Sequence, residues 1–199
     1  ALAVLRAFGD GVCAPSANQF GSVSPTAAAE VIEELGATLG PDDAVIDGGR
    51  CEVGVESTII DCTGPAPRIL RPGGITPAQI EEVTGLPLAE SGSEVRAPGT
   101  LASHYSPTAE VWIAADEAEL EQLARKWPTA GLIALAEIAT PAGLRRLASP
   151  SDAQSYAREL YAALRSADDG GLSEVIALPP TGMDIALAVR DRLVRAAHK

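Results

Sequence analysis

From residue 109 onward, short apolar runs alternate with amphipathic spans, and this alternation constrains the fold more than any other feature of the chain. Val111-Trp112-Ile113 reads as a strand, residues 116–127 as a helix and Gly131-Leu132-Ile133-Ala134-Leu135 as a strand. Residues 152–167 read as a helix, Val175-Ile176-Ala177-Leu178 as a strand, and residues 184–197 as a helix with Ile185, Ala188, Val189 and Leu193 on one face. Strands and helices in strict alternation predict a small parallel α/β unit over 108–199. It carries no G-x-G-x-x-G, so little argues for a dinucleotide site there.

The first half reads differently. A strand-like run, Gly11-Val12-Cys13-Ala14, feeds the loop Ala14-Pro15-Ser16-Ala17-Asn18-Gln19-Phe20-Gly21-Ser22-Val23, and Ser24-Pro25 offers an N-cap and a first helical residue. Hydroxyls, an amide and a helix start in one place suit a small anion. The same composition is that of an ordinary turn. Ala28, Val31, Ile32 and Leu35 give the helix one apolar face, and Gly36 stops it. Val45-Ile46 reads as a short buried strand before the turn Asp47-Gly48-Gly49, and residues 53–61 as a longer one. In that longer run Glu56-Ser57-Thr58 interrupts the apolar pattern, as either the wet face of an edge strand or the wall of a cleft.

Arg68 to Arg71 reads as another strand, ended by Pro72-Gly73-Gly74. Thr76, Pro77 and Gln79 then specify a capping box, with Ile75 and Ile80 as its staple and Gly85 as the stop. Arg71, at a strand's C-terminal end before a glycine turn, is read as an exposed ligand group or a surface salt bridge. Residues 86–107 carry Pro, Gly and Ser without periodicity and read as a linker. Leu101, His104 and Tyr105 within it offer contacts that a spacer does not need.

Net charge is −12, with −9 in residues 1–107 and −3 in 108–199, which argues against tight, autonomous nucleic-acid binding. No apolar run is long enough to span a bilayer. Cys13, Cys51 and Cys62 form an odd set without C-x-x-C spacing and are expected to be reduced, buried and small-hydrophobe-like. The two histidines, His104 and His198, sit far in sequence from any cysteine, so a metal site is not expected.

Four ordered blocks decide between these readings. Ala14-Pro15-Ser16-Ala17-Asn18 with Ser24-Pro25-Thr26 comes first, then Asp47-Gly48-Gly49 through Gly54-Val55-Glu56-Ser57-Thr58. Leu70-Arg71-Pro72-Gly73 follows, and Ala97-Pro98-Gly99 with His104-Tyr105-Ser106-Pro107 closes the series. Together they resemble the threonylcarbamoyl-AMP synthase family in its long form. That resemblance implies a partial YrdC-like twisted-sheet domain over 1–92, a linker or lid over 93–107, and a Rossmann-like parallel α/β domain over 108–199. It implies a cytoplasmic nucleotidyltransferase of tRNA modification that makes threonylcarbamoyl-AMP and pyrophosphate from L-threonine, bicarbonate and ATP, with Mg2+. A downstream tRNA-modifying transferase would take the product.

By the same resemblance Ser16, Asn18, Ser24, Arg71 and Tyr105 are ATP-binding positions, and Ala14 and Ser57 are threonine-binding ones. Tyr105 would latch a lid over the nucleotide; a plain tether with Tyr105 packed on the nearer domain is the alternative. The family's Lys-x-Arg motif has no counterpart here, and residues 1–107 contain no lysine. The chain, which opens on a helix-like segment without methionine, is therefore expected to be catalytically incomplete alone. A nonenzymatic nucleotide- or RNA-binding module, or a structural remnant with an empty pocket, are the readings from other classes.

Overall fold

In this computed structural model the described residues are 1–90, 97–99 and 105–198. The first stretch holds α1 (Leu2–Phe8), α2 (Ala28–Leu35) followed by a 3-10 turn, β1 (Ile59–Asp61), β2 (Arg68–Arg71) and α3 (Pro77–Thr84). β1 and β2 pair antiparallel, with a bulge between Ile59 and Ile60. α3 follows its sequence signals closely. Thr76 Oγ1 accepts from Gln79 N, Gln79 Oε1 accepts from Thr76 N, and Gly85 closes the helix in the left-handed region.

Three local expectations fail in this stretch. Gly11–Ala14, Val45–Ile46 and residues 53–58 are not strands. Gly49 and Gly54 take positive φ (86° and 83°), and Asp47 Oδ1 accepts from Gly49 N at 2.8 Å, so this chain turns where an extended run was expected. Helix α2 starts at Ala28 rather than at Pro25, because Glu30 supplies the cap. Its Oε2 accepts from Thr26 N at 2.5 Å and Ala27 N at 3.2 Å. The helix start expected to receive an anion is thus already occupied by a carboxylate. Cys13, Cys51 and Cys62 are free and exposed, not buried, since the loops that carry them lie on the surface.

The second stretch holds β3 (Glu110–Ile113), α4 (Glu117–Lys126), β4 (Gly131–Ile133), β5 (Arg145–Ala148), α5 (Ala153–Asp169), β6 (Glu174–Ala177) and α6 (Ile185–Ala197). The sheet is parallel, in the order β3-β6-β4-β5. Alternate residues of the central strands feed two separate cores. Ile133, Val175 and Ala177 pack with Tyr156, Leu160, Leu164, Val189 and Leu193 of α5 and α6. Leu132 and Ile176 pack with Leu120 and Ala124 of α4 on the other face. Apolar residues in succession are what a sheet covered on both faces requires, which is why these strands were legible.

β5 was not expected. Its Arg145-Arg146 pair hides an edge strand. Arg146 folds back so that its guanidinium donates to the carbonyls of Ala134, Leu135, Ile138 and Ala148. One side chain thereby satisfies a loop that no ladder reaches.

The first core does not end at the sheet. It takes in Val23 and Tyr105, with Val55 packed against it, so residues from the first stretch close over α5 and α6. Gly54 lies so close to α5 that a Cβ would sit 2.2 Å from Arg158 Cα and 2.4 Å from the Ala157 carbonyl oxygen. Arg158 Nε donates to the Glu52 carbonyl at 3.0 Å, and Arg165 Nη2 reaches both the Val23 carbonyl and Glu34. No helix among the described residues is long and apolar enough to cross a membrane.

Candidate functional site

At this seam the chain leaves a cleft of about 600 Å³ lined by Ala14, Pro15, Ser16, Ser24, Glu56, Ser57, Ile59, Arg71, Pro98, Gly99 and Tyr105. Six of the seven residues singled out from sequence stand on this one cavity. Asn18 does not line it. Its Nδ2 donates to the carbonyls of Gln19 and Ser22, both at 3.0 Å, and so shapes the loop behind Ser16. His104 and Leu101 lie outside the described residues.

Arg71 differs from the exposed group expected. It ends β2 with only 7% of its surface accessible. Nε and Nη2 donate to the Ser57 carbonyl at 3.1 and 2.9 Å, and Nη1 donates to the Pro98 carbonyl at 3.0 Å. Nη2 also reaches Ser57 Oγ at 3.3 Å. The guanidinium thus ties the strand end to the 56–58 turn and to the start of the 97–99 segment while its charge stays on the cleft wall. A cation so placed, fixed before any ligand arrives, favours an anion at low reorganisation cost.

Tyr105 is buried, and its backbone takes a positive φ of 62°. Its ring stacks on Tyr161 of α5 at 5.6 Å between centroids and faces the Arg192 guanidinium of α6 at 5.3 Å. Burial, with Glu56 nearby, pushes the phenol above its ordinary range. Gly99 permits this arrangement. A Cβ there would meet the Tyr105 hydroxyl at 2.1 Å and Arg71 Nη1 at 2.9 Å.

Glu56 is the hub beneath the cleft. Its Oε1 accepts from Ser24 Oγ, and its Oε2 accepts from Tyr161 Oη and Arg192 Nε, each at 2.7 Å. Burial would raise its pKa, but the Arg192 charge and the three hydrogen bonds outweigh burial and hold it below the ordinary carboxylate value. Sequence reasoning noticed Glu56 but neither of its partners from the second stretch. One signal was available. Arg192 falls seven residues after Ile185, on the stripe that Ala188 and Val189 continue, where a helix of this kind places an apolar residue.

Among the described residues no group of three or more His, Cys, Asp or Glu side chains could hold a metal ion. Glu56, the carboxylate of the cleft, is committed to its three donors.

Fold and cleft together define a mixed α/β protein with a cavity where an irregular first part meets a parallel-sheet second part. Comparison with known proteins makes the class specific. The family model for the threonylcarbamoyl-AMP synthase C-terminal domain matches residues 75–198, and one described as telomere recombination matches residues 1–73. The threonylcarbamoyl-AMP synthase of Bacillus subtilis is 34% identical over 99% of the chain and 60% of its own length. That of Pyrococcus abyssi is 32% identical over 94% of the chain and 57% of its own length. The crystal structure of P. abyssi Sua5 complexed with L-threonine superposes with a TM-score of 0.81 at 32% identity, covering 98% of this chain and 60% of that one. The chain belongs to the threonylcarbamoyl-AMP synthase family, and it spans about 60% of the length of the relatives it matches.

Proposed function

We propose that the cleft is a substrate site of an L-threonylcarbamoyladenylate synthase, which joins L-threonine, bicarbonate and ATP into threonylcarbamoyl-AMP and releases pyrophosphate. One observation carries this reading: Ala14, Ser16, Ser24, Ser57, Arg71 and Tyr105, six separate positions, converge on one cavity in a chain of this family. The L-threonine bound to the Pyrococcus abyssi relative supports an amino-acid subsite in the same fold.

In this reading Ser16, Ser24, Arg71 and Tyr105 hold the nucleotide, with Asn18 bracing the loop that carries Ser16. Ala14 and Ser57 border the threonine. The chemistry is displacement at the α-phosphorus. The threonine amine takes up the carbon of bicarbonate with loss of water, a carbamate oxygen of the product forms the new P–O bond, and pyrophosphate leaves with the electron pair of the broken one. No covalent nucleophile is required of the protein. Its task is to fix the two reactants in line and to set positive charge and donors where negative charge grows, a part that suits Arg71 and the Ser16 hydroxyl. Mg2+ would arrive on the phosphates of ATP as part of the substrate, since the residues described build no metal cage of their own.

Residues 93–107 act in this reading as the linker that brings Tyr105 to the cleft. A downstream transferase would carry the threonylcarbamoyl group to tRNA, consistent with an acidic chain poorly suited to holding tRNA itself. Three unpaired thiols support a cytoplasmic setting.

The test is pyrophosphate release by the intact protein. Release that requires threonine and bicarbonate together with ATP is expected. ATP binding without such release would make the cleft a nonenzymatic binding site, and absence of ATP binding would refute the proposal outright.

A further inference from the structure

We propose that Arg192 of α6 is a positioning residue for the cleft: through Glu56 it makes Ser24 turn its hydroxyl proton inward and present oxygen lone pairs to the ligand. The proposal rests on the reading of the cleft as a substrate site and adds what kind of contact Ser24 makes there.

The argument is one of donors and acceptors. An ionised carboxylate can only accept. Glu56 Oε1 lies 2.7 Å from Ser24 Oγ, so with Glu56 ionised the Ser24 proton is spent on Glu56. Ser24 is buried and lines the cleft, and what remains for a ligand is an acceptor oxygen. Such an oxygen repels a phosphate oxygen. It suits a ligand N–H or O–H, such as a ribose hydroxyl, an adenine amino group or an amino acid's ammonium.

The second link is what keeps Glu56 in that state. Among the described residues, the charged and titratable groups that face it are the following. Arg192 comes from α6, with Asp191 and Arg195 behind it. Tyr161 comes from α5, and Tyr105, backed by Arg71 of β2, stands over the ring face. Arg192 is fully buried and binds Glu56 through Nε and Asp191 through Nη1 at 2.6 Å. The cation that offsets the burial of Glu56 is therefore supplied by the parallel-sheet part of the chain. This gives that part a role in the chemistry of the cleft beyond carrying a linker. With Arg192 in place Glu56 titrates below the ordinary carboxylate value, and the Ser24 orientation is held wherever Glu56 is ionised. Without it, only the hydrogen bonds from Ser24 and Tyr161 oppose burial, the carboxyl titrates higher, and Glu56 once protonated no longer dictates which way Ser24 donates.

The experiment uses the intact protein with Arg192→Met, Arg192→Lys and Glu56→Gln. Carbon NMR of the side-chain carboxyl follows Glu56, and calorimetry measures ATP, threonine and inorganic tripolyphosphate on folded protein. Glu56 is expected to titrate below the ordinary carboxylate value in the wild type and in Arg192→Lys, and measurably higher in Arg192→Met. Arg192→Met and Glu56→Gln are expected to weaken ATP or threonine about tenfold, the scale of a lost positioning partner, and to leave tripolyphosphate unchanged. If Arg192→Met does not fold, the Glu56→Gln affinities decide. Unshifted Glu56 in folded Arg192→Met, unchanged ATP and threonine affinities, or an equal loss for tripolyphosphate overturns the proposal. A wild type that binds neither ATP nor threonine refutes the substrate-site reading instead, while the Glu56 titration still judges the Arg192 link.

Discussion

Replacing Gly54 by alanine is expected to destabilise the protein by about 3 kcal/mol. Overpacking a filled contact costs roughly 1–3 kcal/mol. Placing an L-residue in the left-handed region adds about 1–2 kcal/mol. Both apply here. The new methyl would lie 2.2 Å from the Cα of Arg158, a backbone atom in the middle of α5 that cannot swing aside, and φ is +83°. The substitution should show as an early melting transition. It should also open the seam, exposing Tyr161 and Tyr105 to solvent with a measurable change in tyrosine fluorescence. Gly171→Ala is the control. It has φ +64° but nothing within 4 Å of the added Cβ, so it should cost only the backbone strain, about 1 kcal/mol. Equal effects at the two positions would mean that the first part does not press on α5.

Arg71→Ala is expected to damage stability and binding together. Two carbonyls, of Ser57 and Pro98, lose their donor in a site where the arginine was only 7% accessible. An unsatisfied buried acceptor costs about 1–3 kcal/mol, so a total near 3 kcal/mol is expected in a denaturant melt. ATP affinity of the protein that remains folded should fall by roughly 1.5–3 kcal/mol, the range for a lost charged hydrogen bond. Position in sequence alone suggested a different result, affinity lost with stability intact. The difference is physical. A strand-end arginine beside a glycine turn can be read as facing a ligand, but nothing local says that the two carbonyls it holds come from residues 57 and 98.

The same distinction separates what was legible from what was not. Val175-Ile176-Ala177 announces a strand because both faces of the sheet are covered and no polar residue is tolerated. Thr76-Pro77-Ala78-Gln79 announces a helix start because all partners of the capping box lie within four residues. Where the deciding partner is distant, local reading fails. Ser24 looks like an N-cap but donates to Glu56, while Glu30 does the capping. Glu56 looks like a wet edge residue until Tyr161 and Arg192 reach it, 105 and 136 positions further on. Arg146 masks β5 because its role is to satisfy loop carbonyls rather than to face water. The cleft's rim was legible through ordered motifs. Its foundation in α5 and α6 was not, because an arginine on an apolar stripe has no short-range explanation.

The most direct measurement is amide hydrogen exchange on the intact protein with and without ATP and threonine. The cleft reading predicts slowed exchange at residues 14–24, 56–59, 97–99 and 105, with little change in α4 on the opposite face of the sheet. Protection centred on α4, or none at residues 14–24 and 56–59 under saturating ATP and threonine, would contradict it.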